Sequence, residues 1–134
     1  MSKVFDKKAL IKLRLDNAKE TLQDAHTLFE SDGSSRSIVN RAYYVIYYAA
    51  LALLVTADRN PSKHTGVMAF FDKDFVKNNV ISKELSRMLH EAFESRQKGD
   101  YTDPTRIDRR KAAEVLNSAD EFASIIEQKL SDQL

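Results

Sequence analysis

The sequence predicts an all-α protein, an up-and-down four-helix bundle with one additional short helix. Apolar residues recur at intervals of three and four, as in helices, and no long stretch alternates as a strand does. The three glycines and two prolines all fall in short breaks between these segments. With 134 residues and no repeat or low-complexity linker, residues 1–134 are predicted to form a single domain.

The first two helices carry most of the predicted core. The first covers about residues 5–31, because its apolar residues form one inward stripe. The second begins near Ser35 or Ser37, either of which suits an N-cap, and runs to about residue 57. Its apolar run, residues 42–55, is too hydrophobic for a surface helix and shorter than the roughly 20 residues that span a bilayer. It is therefore predicted to be central, wrapped by the bundle or by a second copy of the chain.

Three further helices complete the bundle. A short one covers about residues 65–78, and Ser82 caps another that extends to about residue 98. The last has Asp103 as the predicted N-cap and Pro104 at its first position, and it continues through Ile107 towards the C-terminus.

Composition excludes several classes of function. The 21 basic and 20 acidic residues give a net charge of +1, which provides no long-range attraction to nucleic acid, although a local basic patch is compatible with it. Without cysteine there is no disulfide framework and no thiolate nucleophile. No set of histidines and carboxylates has metal-ligand spacing, so we expect no metal and no cofactor. The N-terminus mixes acids and bases, so we expect no signal peptide, no membrane association and a cytoplasmic protein.

Four of the five tyrosines lie in the second helix. Tyr43 and Tyr47, and likewise Tyr44 and Tyr48, are four residues apart and form two adjacent stripes. A buried tyrosine hydroxyl needs a polar partner. The tyrosines therefore fill the core with their hydroxyls at its rim, form a subunit interface, or stack on a ligand.

The turn after this helix contains Arg59 and His64. A histidine can take or give a proton near neutral pH, and an arginine can bind a phosphate. Because RNA supplies its own 2′-hydroxyl nucleophile, these two residues could cleave it without a catalytic serine. The same residues also suit an ordinary helix end, and their spacing leaves both interpretations open.

A third group, Arg96, Asp100 and Tyr101, lies between the fourth and last helices. A cation such as Arg96 suits the end of a helix. The group is either a binding site or an ion pair that ties the two helices together. A nearby basic cluster is either a solvated face or a phosphate-contact patch; it comprises Arg106, Arg109, Arg110 and Lys111.

Three segments carry a resemblance to a known family: residues 41–44 (RAYY), residues 64–67 (HTGV) and residues 96–101 (RQKGDY). In this order and spacing the chain resembles the HEPN superfamily, in its short prokaryotic branch associated with minimal nucleotidyltransferases, over about residues 8–130. The resemblance implies a dimeric helical bundle with a cleft between protomers. The binding residues that it suggests are Arg41, Tyr43, Tyr44, Arg96, Asp100 and Tyr101.

Many HEPN proteins are metal-independent ribonucleases or toxins that a nucleotidyltransferase partner neutralises. Their signature is an arginine, four to six residues and a histidine, with a polar residue favoured after the arginine. The segment Arg59-Asn60 to His64 fits this pattern. In the ribonuclease branches, however, the signature precedes the last main helix, where this chain has Arg96 but Asp100 and Tyr101 in place of histidine. The signature is either displaced to Arg59 and His64 or degenerate, and its position favours the second.

The leading hypothesis is a HEPN-type component of a toxin–antitoxin-like system with a nucleotidyltransferase partner. We expect a homodimer that binds RNA or a nucleotide in the cleft between protomers. If the protein is a ribonuclease, His64 is the acid/base, Arg59 binds the transferring phosphate, and Arg96 and Tyr101 position the substrate. The alternatives are a non-enzymatic module that binds a partner or a nucleotide, and a stand-alone structural dimer.

Overall fold

The computed structural model describes residues 6–99 and 107–134, and these two ranges contain helices and no strand. This confirms the all-α class. The main elements are α1 (Lys7–Glu30), α2 (Ser35–Val55), α3 (His64–Phe70), a π-helical turn (Phe71–Val76), α4 (Lys83–Gln97) and α5 (Arg109–Leu130). A short 3₁₀ turn, Ser131–Gln133, follows α5.

Helix α2 is the central helix of the bundle, as predicted. It packs against α1, α5, α4 and α3, and every residue from Ala49 to Val55 is buried. Its length and its mean hydropathy of 1.5 over the most apolar window would suit a membrane-spanning helix, but 72% of that window is buried inside the bundle. Packing against the other helices of the chain therefore accounts for its apolar composition.

Helix α2 starts one residue earlier than the sequence suggested. Its N-cap is Ser34, whose Oγ accepts a hydrogen bond from the Ser37 backbone N–H at 3.1 Å. Several serines are adjacent here, and each has the chemistry of a cap. Ser34 directly follows the turn at the end of α1, and it is the serine that caps α2.

Aspartate and asparagine, rather than glycine, take the left-handed conformation at the helix ends. Asp32, Asp58 and Asn79 have φ of 59°, 59° and 61°, and no glycine among the described residues has positive φ. Short polar side chains tolerate this conformation better than other non-glycine residues do. Gly33 is required for a different reason, since a Cβ there would lie 3.0 Å from the Leu28 carbonyl oxygen.

The start of α5 differs from the prediction. Asp103 and Pro104 lie outside the described residues, but Ile107 and Asp108 are described and are not helical. The Asp108 backbone is extended, and its carboxylate accepts a hydrogen bond from the Lys111 N–H at 2.8 Å, so Asp108 is the N-cap. Ile107 is buried from this extended segment. The helix was wrongly predicted to continue through Ile107, because the earlier start signal was followed and Asp108, which has the same capping chemistry, was not considered.

The π-helical turn interrupts the short helix that the sequence predicted over residues 65–78. It buries Phe71 and Phe75 on one side, and its two aspartates form contacts on the other. Asp72 accepts a hydrogen bond from Ser86 Oγ at 2.6 Å and lies 2.7 Å from His90 Nε2, which ties the turn to α4. Such turns are often found near functional sites, and this one directly follows the helix that begins with His64.

Candidate functional site

The His64 ring packs against the tyrosines of α2. It stacks on Tyr47 with ring centroids 4.6 Å apart and lies 5.5 Å from the Tyr43 ring. The Tyr43 hydroxyl and His64 Nδ1 are 2.5 Å apart and form a hydrogen bond. Because a tyrosine hydroxyl can donate or accept, this contact is compatible with either neutral tautomer of the imidazole. In both cases it fixes the ring and leaves Nε2 as the nitrogen that can act on a ligand.

The surroundings of His64 and Tyr43 keep both side chains neutral at pH 7. Partial burial lowers the pKa of His64, and the nearby positive charge of Arg96 lowers it further. Burial raises the pKa of Tyr43, and the neighbouring tyrosines add to this rise. His64 is therefore an uncharged imidazole at neutral pH, as a general base must be before it accepts a proton.

Arginines from α4 and α2 lie over the same tyrosine rings. The Arg96 guanidinium carbon is 5.7 Å from the Tyr43 ring centroid and 5.5 Å from that of Tyr44. The Arg41 guanidinium carbon is 5.8 Å from the Tyr44 centroid. These distances are typical of cation–π contacts. Three helices thus meet at one cluster, here called the aromatic site; it comprises Arg41, Tyr43, Tyr44, Tyr47, His64, Phe93 and Arg96.

The four tyrosines of α2 differ in exposure. Tyr43 is fully buried, with its hydroxyl bonded to His64, whereas Tyr44, Tyr47 and Tyr48 are only partly buried. Tyr43 therefore fits the interpretation of a core residue with a satisfied hydroxyl. The other three keep part of their rings accessible, as a subunit interface or a stacking surface requires.

Arg59 has different neighbours from His64. Its Nε donates a hydrogen bond to Asp74 at 2.9 Å, and its guanidinium carbon lies 4.5 Å from the Phe70 ring centroid. The Asp74 carboxylate is only 17% exposed, so this ion pair is partly shielded from water. The described contacts thus place Arg59 against α3 and the π-helical turn, and they associate His64 with Arg96. Asp100 and Tyr101 lie outside the described residues, and their roles stay predictions.

Tyr47 and Phe93 belong to the aromatic site but were not singled out as site residues. Phe93 lies 6.1 Å from His64 and 5.9 Å from Tyr43, between ring centroids. Tyr47 is one turn after Tyr43, and Phe93 is one turn before Arg96, so each shares a helix face with a predicted site residue. This helical spacing therefore predicts that Tyr47 and Phe93 lie beside the predicted site residues.

The basic cluster at the start of α5 is engaged in ion pairs. Arg109 lies over the Phe29 ring at 3.9 Å, donates a hydrogen bond to the Phe29 carbonyl at 2.8 Å, and is 3.4 Å from Asp32. Arg110 and Lys111 are each within 4 Å of Glu114. Within the described residues this cluster resembles a paired, solvated face that joins α5 to α1. Arg106 is outside the described residues.

Histidine–carboxylate pairs occur elsewhere in the bundle, and no third ligand joins either pair within the described part of the chain. His26 Nε2 is 2.9 Å from Asp120, which links α1 to α5, and His90 pairs with Asp72. Over residues 6–99 and 107–134 no group of three or more histidines and carboxylates is arranged to hold a metal ion.

Comparison with known proteins identifies the family. The HEPN domain model matches residues 11–129, and the chain therefore belongs to the HEPN family, as its motifs predicted. It is 33% identical over 127 residues to a "UPF0332 protein" of Thermotoga maritima, across 95% of this chain and 96% of that protein. It is 34% identical over 124 residues to "Putative toxin MJ0605" of Methanocaldococcus jannaschii, across 92% and 91% of the two chains. A second protein of that archaeon, "Putative toxin MJ0142", is 34% identical over 116 residues, across 87% and 78%.

Proposed function

We propose that this protein is a toxin of the HEPN family that binds RNA at the aromatic site and cleaves it. The observation that carries the proposal is that an uncharged histidine and the Arg96 guanidinium lie against the same tyrosine of α2. This arrangement provides a proton acceptor beside a cation that can bind a phosphate. The relatives named as toxins support the biological role.

The proposed reaction is an attack within the RNA chain. When Nδ1–H of His64 donates to the Tyr43 hydroxyl, the lone pair on Nε2 can accept the proton of a ribose 2′-hydroxyl. The 2′-oxygen attacks the adjacent phosphorus, and the bond to the 5′-oxygen of the next nucleotide breaks. A proton from the imidazolium or from water completes that 5′-hydroxyl. The products are a 2′,3′-cyclic phosphate and a free 5′-hydroxyl.

Arg96 is assigned the role of binding the reacting phosphate. Its guanidinium can donate two parallel hydrogen bonds to the non-bridging oxygens, where negative charge develops during the attack. The sequence-based hypothesis gave this role to Arg59, but the described contacts place Arg59 against Asp74 and Phe70 and associate Arg96 with His64 and Tyr43. The accessible faces of Tyr44 and Tyr47 can stack on neighbouring bases, an interaction worth about 1–3 kcal/mol per base.

The test is expression of wild-type protein and four variants in bacteria, with growth and RNA integrity as readouts. We expect His64→Ala and Arg96→Gln to relieve growth inhibition and to leave RNA intact. Arg59→Gln should remain toxic, and His90→Ala is the matched control for loss of a surface histidine. If His64→Ala inhibits growth as strongly as wild type does, the proposed chemistry is wrong.

The chemistry of the RNA ends separates cleavage from binding alone. Purified wild-type protein should leave 2′,3′-cyclic phosphate and 5′-hydroxyl ends on a defined oligoribonucleotide. If the protein binds this RNA and leaves it intact, the non-enzymatic binding module becomes the better description.

The proposal includes a homodimer and a partner enzyme. Part of the support is that three α2 tyrosines are only partly buried within one chain, so a second protomer could face them across a cleft. Light scattering after gel filtration should give twice the mass of the monomer, and a monomer at micromolar concentration would contradict this.

The proposed antitoxin is a minimal nucleotidyltransferase. When it is co-expressed, this nucleotidyltransferase should restore growth and should co-purify with the chain. If it does neither, the proposed pairing is wrong.

A further inference from the structure

A second concave surface lies between α1 and the C-terminal half of α2. Its cavity has a volume of about 290 Å³. The floor is apolar and consists of Leu10, Leu51 and Val55. The rim is polar and predominantly basic; it consists of Lys7, Arg14, Asp58, Arg59 and Asn60. An apolar floor with a cationic rim suits a ligand that has both a flat organic part and a negative charge.

The positive charge of this pocket is concentrated at Arg14. Lys7 Nζ is 2.7 Å from the Asp58 carboxylate, and Arg59 is paired with Asp74. Arg14 is partly buried and has no carboxylate partner within residues 6–99 and 107–134. An anionic ligand in the pocket would supply the counter-charge that the described residues do not give Arg14.

The pocket and the aromatic site share helix α2. Burial raises the pKa of Tyr47, and the positive charge of Arg14 opposes that rise. The Tyr47 ring in turn stacks on His64. Tyr44, Tyr47 and Leu51 also follow one another on one face of α2 at intervals of three and four residues. This face of α2 therefore carries residues of both sites.

We infer that the pocket binds a phosphate of the same RNA strand, about three nucleotides from the phosphate at the aromatic site. The inference rests on the proposed function and extends it to a multi-nucleotide substrate. The seven residue steps from Tyr44 to Leu51 span about 10 Å of helix, and stacked nucleotides rise about 3.4 Å each, which gives the spacing. Arg14 binds the phosphodiester, and the apolar floor packs against the attached sugar or base.

The experiment compares two lengths of RNA in which 2′-O-methyl groups block cleavage. A hexanucleotide is long enough to reach both sites, whereas a dinucleotide occupies only the aromatic site. For Arg14→Gln we expect the hexanucleotide affinity to fall by about threefold to tenfold at moderate salt, because one phosphate contact is lost. Its salt dependence should fall by about 0.7 in log–log slope, the value for one contact with a single strand. Dinucleotide affinity should be unchanged.

The matched control is Arg87→Gln, which removes the same charge from an exposed side chain that is paired with Glu84 and Glu91 on α4. It should leave both affinities unchanged, and circular dichroism would establish that both variants are folded. If Arg14→Gln behaves as Arg87→Gln does, the pocket is not an RNA subsite, and the proposed function stands without it. If both lengths lose affinity equally, Arg14 acts on the aromatic site, and the inference is wrong. If the wild-type protein binds neither RNA, the proposed function fails and the inference fails with it.

Discussion

The contact between Tyr43 and His64 joins α2 to the first residue of α3 through a single hydrogen bond. The Tyr43 side chain is fully buried, so its hydroxyl cannot exchange this partner for water. A buried polar group without a partner is costly. The position of His64 therefore depends on the same bond that satisfies the core tyrosine, and this residue links the stability of the bundle to the proposed function.

Replacing Tyr43 by phenylalanine tests this coupling. We expect the free energy of unfolding to fall by about 1 kcal/mol, because a buried hydrogen bond is lost while the ring is kept. RNA cleavage should also decrease, because the imidazole is no longer held. Urea denaturation and a cleavage assay provide the two measurements.

Tyr48→Phe is the control, since no hydrogen bond to the Tyr48 hydroxyl occurs within the described residues. Its effect on the free energy of unfolding should stay within about 0.5 kcal/mol. Equal effects of the two substitutions would show that the bond is absent in solution.

The lowered pKa of His64 predicts a particular dependence of stability on pH. Below about pH 6.5, the ordinary histidine value, the unfolded chain binds more protons at His64 than the folded protein does. The free energy of unfolding of wild type should therefore fall more steeply from pH 7 to pH 5 than that of His64→Gln. Above pH 7 both states are neutral at His64, and the two curves should run parallel. Urea titrations at each pH measure the slopes, and parallel slopes below pH 6.5 would contradict the lowered pKa.

At the scale of the elements, the ends of the helices place the site residues. Asp58, in the left-handed conformation after α2, turns the chain so that the Arg59 N–H bonds the Leu54 carbonyl at 3.1 Å. The chain then enters α3 at His64, beside the tyrosines of the helix it has just left. Another turn at this point would point the start of α3 in a different direction and separate His64 from Tyr43.

The N-cap of α5 gives a prediction at this scale. Asp108→Ala should cost about 1 kcal/mol in the free energy of unfolding, because the Lys111 N–H loses its acceptor. Thermal or urea denaturation would measure the loss. Asp103→Ala is the informative comparison, since the sequence alone pointed to Asp103 as the cap. If Asp103→Ala were the more costly change, the helix would start earlier in solution.

At the scale of the whole molecule, the bundle is organised around α2, and aromatic contacts between elements distant in sequence stabilise it. Phe122 of α5 is fully buried and stacks on Phe71 of the π-helical turn, with ring centroids 5.6 Å apart. This contact joins the C-terminal helix to the segment that follows α3. Neither phenylalanine belongs to the aromatic site, so the pair reports on the fold alone.

Phe122→Ala should lower the free energy of unfolding by about 3–5 kcal/mol through the lost burial and the cavity left behind. That is a large part of the roughly 5–15 kcal/mol that stabilises a typical domain. The thermal midpoint should fall by well over ten degrees, with scanning calorimetry as the measurement. In the growth assay this variant distinguishes loss of folding from loss of chemistry, because His64→Ala should remove activity without a comparable fall in the midpoint. A shift within a few degrees would mean that the core tolerates the cavity.

Local patterns in the amino-acid sequence specify the helical class, the central position of α2 and the family. These follow from local patterns, since apolar periodicity and the long apolar run can be read without knowing what packs against what. The sequence also identified Tyr43, His64 and Arg96 as residues of interest. It did not determine which of them meet. The placement of His64 and Arg96 against the same tyrosine, Tyr43, depends on the packing of α2, α3 and α4. The engagement of Arg59 by Asp74 depends on the π-helical turn, and α5 starts at Asp108 after an extended segment in which Ile107 is buried. These three arrangements come from tertiary packing, because each brings together residues through contacts that no local sequence pattern specifies.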